Sequence, residues 1–408
     1  MDDRLIVQKY GGTSVGNTGK IMNVAKRVVS YRNKGYDIVV VVSALGDTTD
    51  ELLALASKIT KTPSEREIDM LISTGEQVSV ALLAMAVHKL GKEAISFTGS
   101  QVGIITDSSH TKARIIDVNT KKIQEELAKG KVVIVAGFQG TNMDREITTL
   151  GRGGSDMTAV ALAKVLNASL CEIYTDVEGV YTADPRIVKD AKKLDRISYE
   201  EMLELASLGA QVLQARSVEV ASKFNIPIHV RSSFSEKEGT FITKEVKAME
   251  DVLVSGITLN KDEAKVTVRD VPDKPGIAAH IFGAIAANDI NIDMIIQNVS
   301  RTGCTDVSFT VMAGDLPKTM KLMKKVSEEI GAGGIIFDKD IAKVSVVGIG
   351  MRSHSGVAST MFSALASKKI NISMISTSEI KISCIVRRNK GEEAVRVLHK
   401  EFNFGGKK

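Results

Sequence analysis

The chain has 408 residues, of which 43% are hydrophobic and 25% charged, a composition typical of a soluble protein with two or three domains. Its formal net charge of +5 is small and aromatic residues make up only 4%, which argues against a nucleic-acid-binding protein. The three cysteines are widely separated, which argues against a disulfide framework. The N-terminus does not look like a leader, which argues against a signal peptide. No apolar run reaches about 18 residues, which argues against a membrane span. We therefore expect a cytoplasmic protein.

The first part of the chain alternates apolar strands with amphipathic helices. Strands that are apolar throughout, such as residues 38–42 and 132–136, are typical of a parallel sheet covered by helices on both faces. The pattern predicts an open, mostly parallel α/β domain over residues 1–248. The predicted strands are residues 5–9, 38–42, 94–97, 132–136, 172–175 and 226–231. The predicted helices are residues 18–33, 117–128, 199–207 and 216–224, with one or two more over residues 64–90.

A stretch rich in glycine and hydroxyl groups, residues 137–159, follows one of these strands and leads into a helix predicted from Thr158. Such a stretch presents backbone N–H groups and a positive helix-dipole end at the edge of a sheet, so we expect an anion there. It is not a dinucleotide-binding fingerprint, because Asp156 replaces the last glycine. Ser14 and Ile21 likewise rule out a Walker A loop around Gly19 and Lys20.

Several charged residues near the glycines are candidates for a binding site. Lys9 ends the first strand just before two glycines, so it could reach a phosphate, although it could also extend to solvent beside a turn. Arg152 lies between two glycines, and its guanidinium suits a carboxylate or phosphate. Asp156 could instead be only a helix N-cap, and Glu76 could simply be exposed.

Residues 175–186 follow a strand directly and carry two aspartates, a tyrosine and Arg186. Open α/β sheets place ligands at the carboxyl ends of parallel strands. Together with Lys9 and Arg152, this segment suggests a site for a polyanion and a small acid. The dispersed histidines and the absence of a Gly-x-Ser-x-Gly sequence argue against a histidine metal site and a serine hydrolase.

The region 249–408 contains an internal duplication. Residues 276–295 and 356–375 align without a gap at an offset of 80, with identities such as Asn291 and Asn371. Each copy predicts the βαββαβ order of a ferredoxin-like unit, the first over about 262–340 and the second over about 341–408. The second copy lacks its last strand, so we expect residues 252–258 to complete it.

Four segments of the chain resemble bacterial aspartokinases, and the duplicated tail resembles their paired ACT domains. The segments are residues 9–15, 73–77, 148–159 and 175–186. The resemblance covers essentially the whole chain and implies the amino-acid-kinase fold. It implies transfer of the ATP γ-phosphate, with magnesium, to the side-chain carboxylate of L-aspartate, the first step of lysine, threonine and methionine biosynthesis. The form with two ACT units most resembles enzymes inhibited by lysine and threonine together. No flavin, NAD, haem or zinc is implied.

Transferred residue by residue, the resemblance implies catalytic roles for Lys9, Arg152 and Asp156. The residues implied in ATP binding are Lys9, Tyr10, Gly11, Gly12, Ser14, Ser43, Ser155, Thr175, Asp176, Tyr181, Asp184, Arg186 and Gln211, the last a lysine in many relatives. Those implied in aspartate binding are Asp47, Thr48, Thr49, Glu76, Arg152, Gly153, Gly154 and Ser155. Those implied in effector binding are Asp273, Ala278, Asn291, Ile292, Asp293, Gln297, Asn371, Ile372, Ser378 and Glu379.

A ferredoxin-like unit has a flat sheet edge to bury, so we expect the ACT units to pair between chains. The expected assembly is a homo-oligomer or, as the resemblance implies, one with a regulatory subunit made from an internal start near Met249. No nucleic-acid or membrane partner is expected. Two alternatives stay open, namely an amino-acid kinase that acts on a different small acid and a non-catalytic amino-acid sensor that has kept an inactive kinase domain.

Overall fold

The structure is a computed structural model that describes residues 2–210, 212–244, 254–298, 303–352 and 354–404. It divides into two compact units. The N-terminal unit comprises Met1–Val180, Lys193–Ser207 and Gln211–Lys247. The C-terminal unit contains Ala248–Lys408 and also takes in two short segments that precede the predicted boundary, Tyr181–Lys192 and Leu208–Ala210.

An eight-stranded sheet forms the centre of the N-terminal unit, in the order β10-β12-β11-β9-β1-β2-β6-β3. Every neighbouring pair is parallel except β11 with β12. The elements are β1 (Asp2–Tyr10), α1 (Gly12–Val15), α2 (Thr18–Asn33), β2 (Asp37–Val42), α3 (Thr48–Ile59), α4 (Glu65–Ile72), α5 (Thr74–Lys89), β3 (Ala94–Phe97), β4 (Ile104–Thr106), β5 (Ile115–Val118), α6 (Lys121–Ala128), β6 (Val132–Ala136), β7 (Gln139–Thr141), β8 (Ile147–Thr149), α7 (Gly154–Val165), β9 (Ala168–Thr175), β10 (Arg196–Ser198), α8 (Tyr199–Ser207), α9 (Ala215–Phe224), β11 (Ile228–Ser232) and β12 (Thr240–Thr243). The mostly parallel sheet predicted from the sequence is confirmed.

The all-apolar strands β2 and β6 lie side by side in the sheet, between β1 and the edge strand β3, and almost all their side chains are buried. β-branched residues such as Val39 and Ile134 suit a pleated surface that is covered on both faces. Helices α2 and α5 contribute to the core on one face, with Val28 and Leu83 completely buried. This packing fixes the ends of the central strands, from which the loops described below emerge.

Two local predictions are wrong. The predicted helix 117–128 begins only at Lys121, because β5 occupies Ile115–Val118. The helix predicted from Thr158 begins at Gly154, four residues earlier. The stretch before it contains two short strands that were not predicted, β7 and β8, which pair antiparallel and join β4 and β5 in a small separate sheet.

The stretch Glu65–Lys89 is long and apolar enough to cross a membrane by length and composition alone. It consists of two shorter helices, however, with α4 ending at Ile72 and α5 beginning at Thr74. More than half of its most apolar window is buried inside the protein. Its apolar character is therefore explained by the core that it covers.

The C-terminal unit contains two antiparallel sheets of four strands, in the orders β15-β16-β14-β17 and β19-β20-β18-β13. Its elements are β13 (Gly256–Asn260), β14 (Glu263–Pro272), α10 (Ile277–Ala286), β15 (Ile292–Gln297), β16 (Cys304–Met312), α11 (Leu316–Ile330), β17 (Gly334–Asp338), β18 (Ile341–Val347), α12 (Val357–Ser367), β19 (Met374–Thr377), β20 (Lys381–Arg387) and α13 (Gly391–Glu401). Both copies therefore have the βαββαβ set of strands and helices expected of a ferredoxin-like unit.

The last strand of the second copy comes from the segment before the first copy. β13 pairs antiparallel with β18, with Gly256 opposite Val347 and Asn260 opposite Lys343. In the second sheet β13 thus takes the place that β17 takes in the first. The observed strand is Gly256–Asn260, and residues 252 and 253 of the predicted strand lie outside the described part of the chain.

Candidate active site

A cavity of about 360 Å³ lies where β1, β2, β6 and β9 end. Parallel strands bring their carboxyl ends to one edge of the sheet, so the loops after them meet there. Its walls are completed by the start of α7, by Glu76 of α5 and by the segment before α9. Twelve predicted site residues line it, namely Lys9, Gly11, Gly12, Ser43, Thr49, Glu76, Gly153, Gly154, Ser155, Asp156, Thr175 and Asp176.

The cationic side of the cavity is formed by Lys9, the second-last residue of β1. Its Nζ lies 2.5 Å from Oδ1 of Asp156, and the two side chains are only 13% and 8% exposed. Asp156 is the third residue of α7, in the first turn, where the helix dipole favours a carboxylate. The residue that caps this helix is Gly153, so the interpretation of Asp156 as an N-cap is wrong. Asp156 instead holds the Lys9 ammonium at the edge of the cavity.

The glycine loops after β1 and β2 pack directly against each other. A Cβ atom on Gly12 would lie 2.9 Å from the carbonyl oxygens of both Ala44 and Gly46, too close for any side chain. The Gly46 N–H donates to the Gly12 carbonyl at 3.1 Å, and the Gly11 N–H donates to the Tyr174 carbonyl at 3.3 Å. Backbone can therefore approach a ligand closely on this side of the cavity.

A second constrained glycine marks the start of α7. Gly153 has φ of 75°, in the left-handed region that favours glycine, and a Cβ there would collide with the Gln214 side chain. Gln214 itself lines the cavity. Next to it, Ser43 donates a hydrogen bond to Ser155 at 3.0 Å, which ties the loop after β2 to the first turn of α7.

Glu76 on α5 forms the anionic side of the cavity and is not exposed, contrary to the simpler interpretation of the sequence. The residue is 3% exposed, and its Oε1 accepts a hydrogen bond from the Ala44 N–H at 3.1 Å. Its Oε2 is buried and has no hydrogen-bond partner among the described residues. Burial raises the pKa of Glu76 to about 7. A buried carboxylate that lacks a partner at the wall of a cavity is suited to a cationic group of a ligand.

Five predicted residues of the N-terminal unit do not line the cavity. Tyr10 is fully buried and stacks on Tyr174, with ring centroids 4.6 Å apart and planes 7° apart. Ser14 is buried, with its Oγ 2.5 Å from that of Ser233. The other three residues are Asp47, Thr48 and Arg152. The Arg152 side chain is exposed. The Thr48 hydroxyl donates a hydrogen bond to the Leu45 carbonyl.

The remaining predicted nucleotide residues lie elsewhere in the chain. Tyr181, Asp184 and Arg186 belong to the segment that is part of the C-terminal unit. Arg186 donates to both carboxylate oxygens of Asp184, and these hydrogen bonds lower the pKa of that carboxyl, although burial partly opposes them. Gln211 is outside the described residues. The roles of these four residues stay predictions.

Eight lining residues were missed from the sequence, namely Thr13, Ala44, Gly46, Phe138, Tyr174, Val212, Leu213 and Gln214. Most of them directly follow or precede a predicted residue, so the loops were found although their full extent was not. Val212–Gln214 had no signal of their own, because only the packing of Gln214 against a glycine brings them to the cavity.

The C-terminal unit has two further cavities, which the duplication makes equivalent. The first, of about 340 Å³, is lined by the loop before α10 together with Gln297. The second, of about 490 Å³, is lined by the loop before α12 together with Thr377, at the offset of 80. Five predicted effector residues line them, Asp273, Ala278 and Gln297 in the first and Ser378 and Glu379 in the second.

The other five predicted effector residues do not line these cavities. They are Asn291, Ile292, Asp293, Asn371 and Ile372. Asp293 is instead an ion-pair partner of Lys343. Lys343 is 1% exposed and also lies 2.5 Å from Oε1 of Glu263. This buried lysine on β18 therefore links the second sheet to β14 and β15 of the first.

Comparison with known proteins agrees with this arrangement. The amino acid kinase family matches residues 4–232, and the ACT domain matches residues 266–328 and again residues 344–402. Aspartate kinase of Pseudomonas putida is 54% identical over 401 residues, which cover 98% of each chain. Aspartokinase of Corynebacterium glutamicum is 51% identical over 407 residues, which cover 98% of this chain and 97% of the relative.

A solved structure shares the same fold over nearly the whole length. Escherichia coli aspartokinase III in complex with aspartate and ADP has a TM-score of 0.84 and 26% identity, covering 97% of this chain and 99% of that one. The chain belongs to the amino acid kinase family and, within it, to the aspartate kinases, so it is an ATP-dependent phosphotransferase with allosteric regulation through its ACT domains.

Proposed function

We propose that the cavity binds ATP and L-aspartate side by side, with ATP phosphates on the side of Lys9 and the Gly11–Gly12 loop and the aspartate ammonium beside Glu76. The observation that carries this proposal is the buried Oε2 of Glu76, which has no hydrogen-bond partner among the described residues and lies in the same cavity as the Lys9 cation. A cavity with one cationic and one anionic side suits a polyphosphate and an amino acid together. The E. coli relative is described in complex with aspartate and ADP, which supports the same pair of ligands here.

Phosphoryl transfer in this cavity needs no catalytic base. The attacking side-chain carboxylate of aspartate has an ordinary pKa of about 4, so it is already ionised at neutral pH. The barrier comes from bringing this anion to a triphosphate, and positioning and charge neutralisation lower it. The Lys9 ammonium would stabilise negative charge on the transferring phosphoryl group, and Asp156 would keep it in place.

The substrate α-carboxylate needs a cation of its own, and we propose Arg152 for this role. In the described structure its side chain is exposed, next to the Gly153 and Gly154 backbone that lines the cavity. A guanidinium is a bidentate partner for a carboxylate. Arg152 would therefore turn toward the cavity when aspartate binds.

Magnesium is proposed as the counterion of the nucleotide. The carboxylates that line the cavity are those of Glu76, Asp156 and Asp176, and Asp156 is already paired with Lys9. Magnesium prefers several waters and phosphate oxygens to a cage made only of protein ligands. The residues present fit an ion carried in by ATP, with Asp176 the side chain best placed to assist, and the ion would supply charge neutralisation at the phosphates.

For regulation, we propose lysine and threonine as joint effectors that bind in the two equivalent cavities of the C-terminal unit. Each cavity offers both charges that a free amino acid needs, Asp273 with Lys274 in the first and Glu379 with Arg352 in the second. Arg352 Nε and Glu379 Oε2 lie 3.1 Å apart, so an effector would exchange this exposed pair for contacts of its own.

The ACT sheets are proposed to pair between chains. Ile295, Ile336 and Phe337, on the outer strands of the first sheet, are each about half exposed. Exposed apolar residues on edge strands are typical of protein interfaces. A homo-oligomer would cover them.

An additional regulatory subunit that starts near Met249 is a further proposal, and that residue lies outside the described part of the chain.

Replacement of Lys9 by alanine should lower kcat by about 100-fold or more, because a single positioned cation or donor in a transition state contributes on this scale. The KM for aspartate should change little. Steady-state kinetics with ATP and aspartate, with phosphoaspartate trapped as its hydroxamate, measures both. Lys58→Ala, which removes an exposed lysine of α3, is the control. A kcat close to that of the unmodified enzyme would reject the role of Lys9.

Replacement of Glu76 by glutamine should stabilise the ligand-free protein at high pH. The folded-state pKa of about 7 exceeds the ordinary value of 4.5, so ionisation of Glu76 costs folding free energy, progressively above about pH 4.5 and in full above about pH 7. Glu76→Gln should therefore raise the free energy of unfolding by about 3 kcal/mol at pH 8 and by under about 1 kcal/mol at pH 5.

Urea unfolding of both proteins at the two pH values measures this difference. The control is Glu126→Gln, because Glu126 is paired with Lys129 and Lys131, which lower its pKa. That control should show no gain at pH 8. A Glu76→Gln gain that is absent, or that is the same at both pH values, would show that Glu76 is not a strained carboxylate.

Lysine and threonine together, each at millimolar concentration, should lower the initial rate strongly, whereas each alone should have a much smaller effect. An effector shifts the equilibrium only by its difference in affinity for the active and inhibited arrangements. Glu379→Ala should raise the concentration of the mixture needed for half inhibition, with Glu401→Ala on α13 as the control. A rate that the mixture leaves unchanged would refute joint inhibition.

A further inference from the structure

The face of the sheet opposite Lys9 carries a buried carboxylate for which the phosphotransfer described above has no use. Gln8 pairs with Glu172, Lys9 with Ile173 and Tyr10 with Tyr174 across β1 and β9. Since successive strand residues point to opposite faces, Glu172 and Tyr174 face away from Lys9. Glu172 is 1% exposed.

The Glu172 carboxylate accepts hydrogen bonds from four side chains. Oε1 accepts from the Tyr31 hydroxyl at 2.8 Å and from Nη1 of Arg231 at 3.3 Å. Oε2 accepts from Nε2 of Gln8 at 2.8 Å and from the Tyr174 hydroxyl at 3.1 Å. A buried carboxylate with this many donors and a guanidinium beside it has a single defined position, and so do its donors.

This network holds one residue of the catalytic cavity. Tyr174 lines the cavity, whereas its hydroxyl points to Glu172 and lies 3.3 Å from that of Tyr31. Its ring stacks on Tyr10 and lies under the guanidinium of Arg27, 4.8 Å from the ring centroid. The ring is thus fixed by contacts on the side away from the ligand.

Tyr10 and Tyr174 in turn fix the glycine loops through their backbones. The Tyr174 carbonyl accepts the Gly11 N–H at 3.3 Å, and the Tyr10 carbonyl accepts the Ser43 N–H at 3.1 Å. A small shift of the Tyr174 ring would therefore move the Gly11 loop after β1. This is the loop assigned above to the ATP phosphates.

We propose that Glu172 is a positioning residue for the nucleotide, which fixes the Tyr174 ring and, through it, the Gly11 loop. The inference rests on the proposed assignment of that loop to ATP. Glu172 touches no substrate, so its effect is on geometry. Glu76 lies on α5, and neither Glu172 nor Tyr174 is among its described hydrogen-bond partners, so the aspartate side should be far less sensitive.

The test is the steady-state kinetics of Glu172→Gln and of Tyr174→Phe. The first variant keeps the shape of the side chain but turns one acceptor into a donor that faces other donors. The second removes only the hydroxyl that reaches Glu172 and keeps the ring that stacks on Tyr10. Each should raise the KM for ATP about ten-fold and leave the KM for aspartate within about two-fold, the split expected from an altered phosphate loop.

The double variant should be no worse than the more severe single variant, because both changes break the same contact. Glu126→Gln, the same chemical change at an ion pair on α6, is the matched control and should leave both KM values unaltered. Calorimetric titration with ADP should show the same loss of affinity as the KM for ATP. If Glu172→Gln does not fold, the Tyr174→Phe result alone decides.

An unchanged KM for ATP in a folded Glu172→Gln or Tyr174→Phe protein would overturn the proposal, as would equal losses for ATP and aspartate. Additive effects in the double variant would show that Glu172 does not act through Tyr174, which also overturns it. A failure of the proposed ATP site looks different, because Lys9→Ala would then retain normal kcat while the unmodified enzyme stays active.

Discussion

The parallel register of β9, β1 and β2 is the constraint on which the candidate active-site cavity depends. Because these strands run side by side and end together, the loops that carry Gly11, Ser43 and Thr175 emerge at one edge of the sheet. The interlocking backbone hydrogen bonds between these loops leave no room for a side chain at Gly12. The site is therefore preformed by the same contacts that hold the sheet together.

The buried charged residues differ in whether the protein itself supplies a partner for them. Lys9 is paired with Asp156, so the cation has a partner of opposite charge within the protein. Glu76 has no such partner on one oxygen, and burial raises its pKa to about 7. A strained carboxylate of this kind weakens the ligand-free fold and becomes satisfied when an ammonium group binds. Glu172 is the opposite case, a buried carboxylate whose hydrogen bonds are all made within the protein.

Much of the fold could be predicted because its signals are local. The apolar strand at Val132–Ala136 and the helix at Thr18–Asn33 have the predicted bounds, and the offset of 80 revealed both ferredoxin-like copies. The start of α7 was missed because the left-handed Gly153 permits a helix directly after a turn, which periodicity does not show. Strands β7 and β8 were missed because each has only three residues.

The candidate site could be predicted where a motif stood at a strand end, as for Lys9, or in the first turn of a helix, as for Glu76 and Asp156. What the sequence did not show was pairing over long separations, such as Lys9 with Asp156 or Glu172 with Tyr31. Those contacts depend on which strands are neighbours. The same reason explains why Gln214 was missed, since only tertiary packing brings it against Gly153.

The affinity for aspartate as a function of pH, measured by calorimetry between pH 6 and pH 8, tests most directly whether Glu76 receives the substrate ammonium group. If Glu76 with its pKa of about 7 receives the ammonium group, binding should tighten about five-fold or more as the pH rises and Glu76 ionises. The Glu76→Gln variant should bind weakly at both ends of this range and show no such rise. Equal affinity at pH 6 and pH 8 in the unmodified enzyme, or the same rise in Glu76→Gln, would contradict the assignment of the cavity to aspartate.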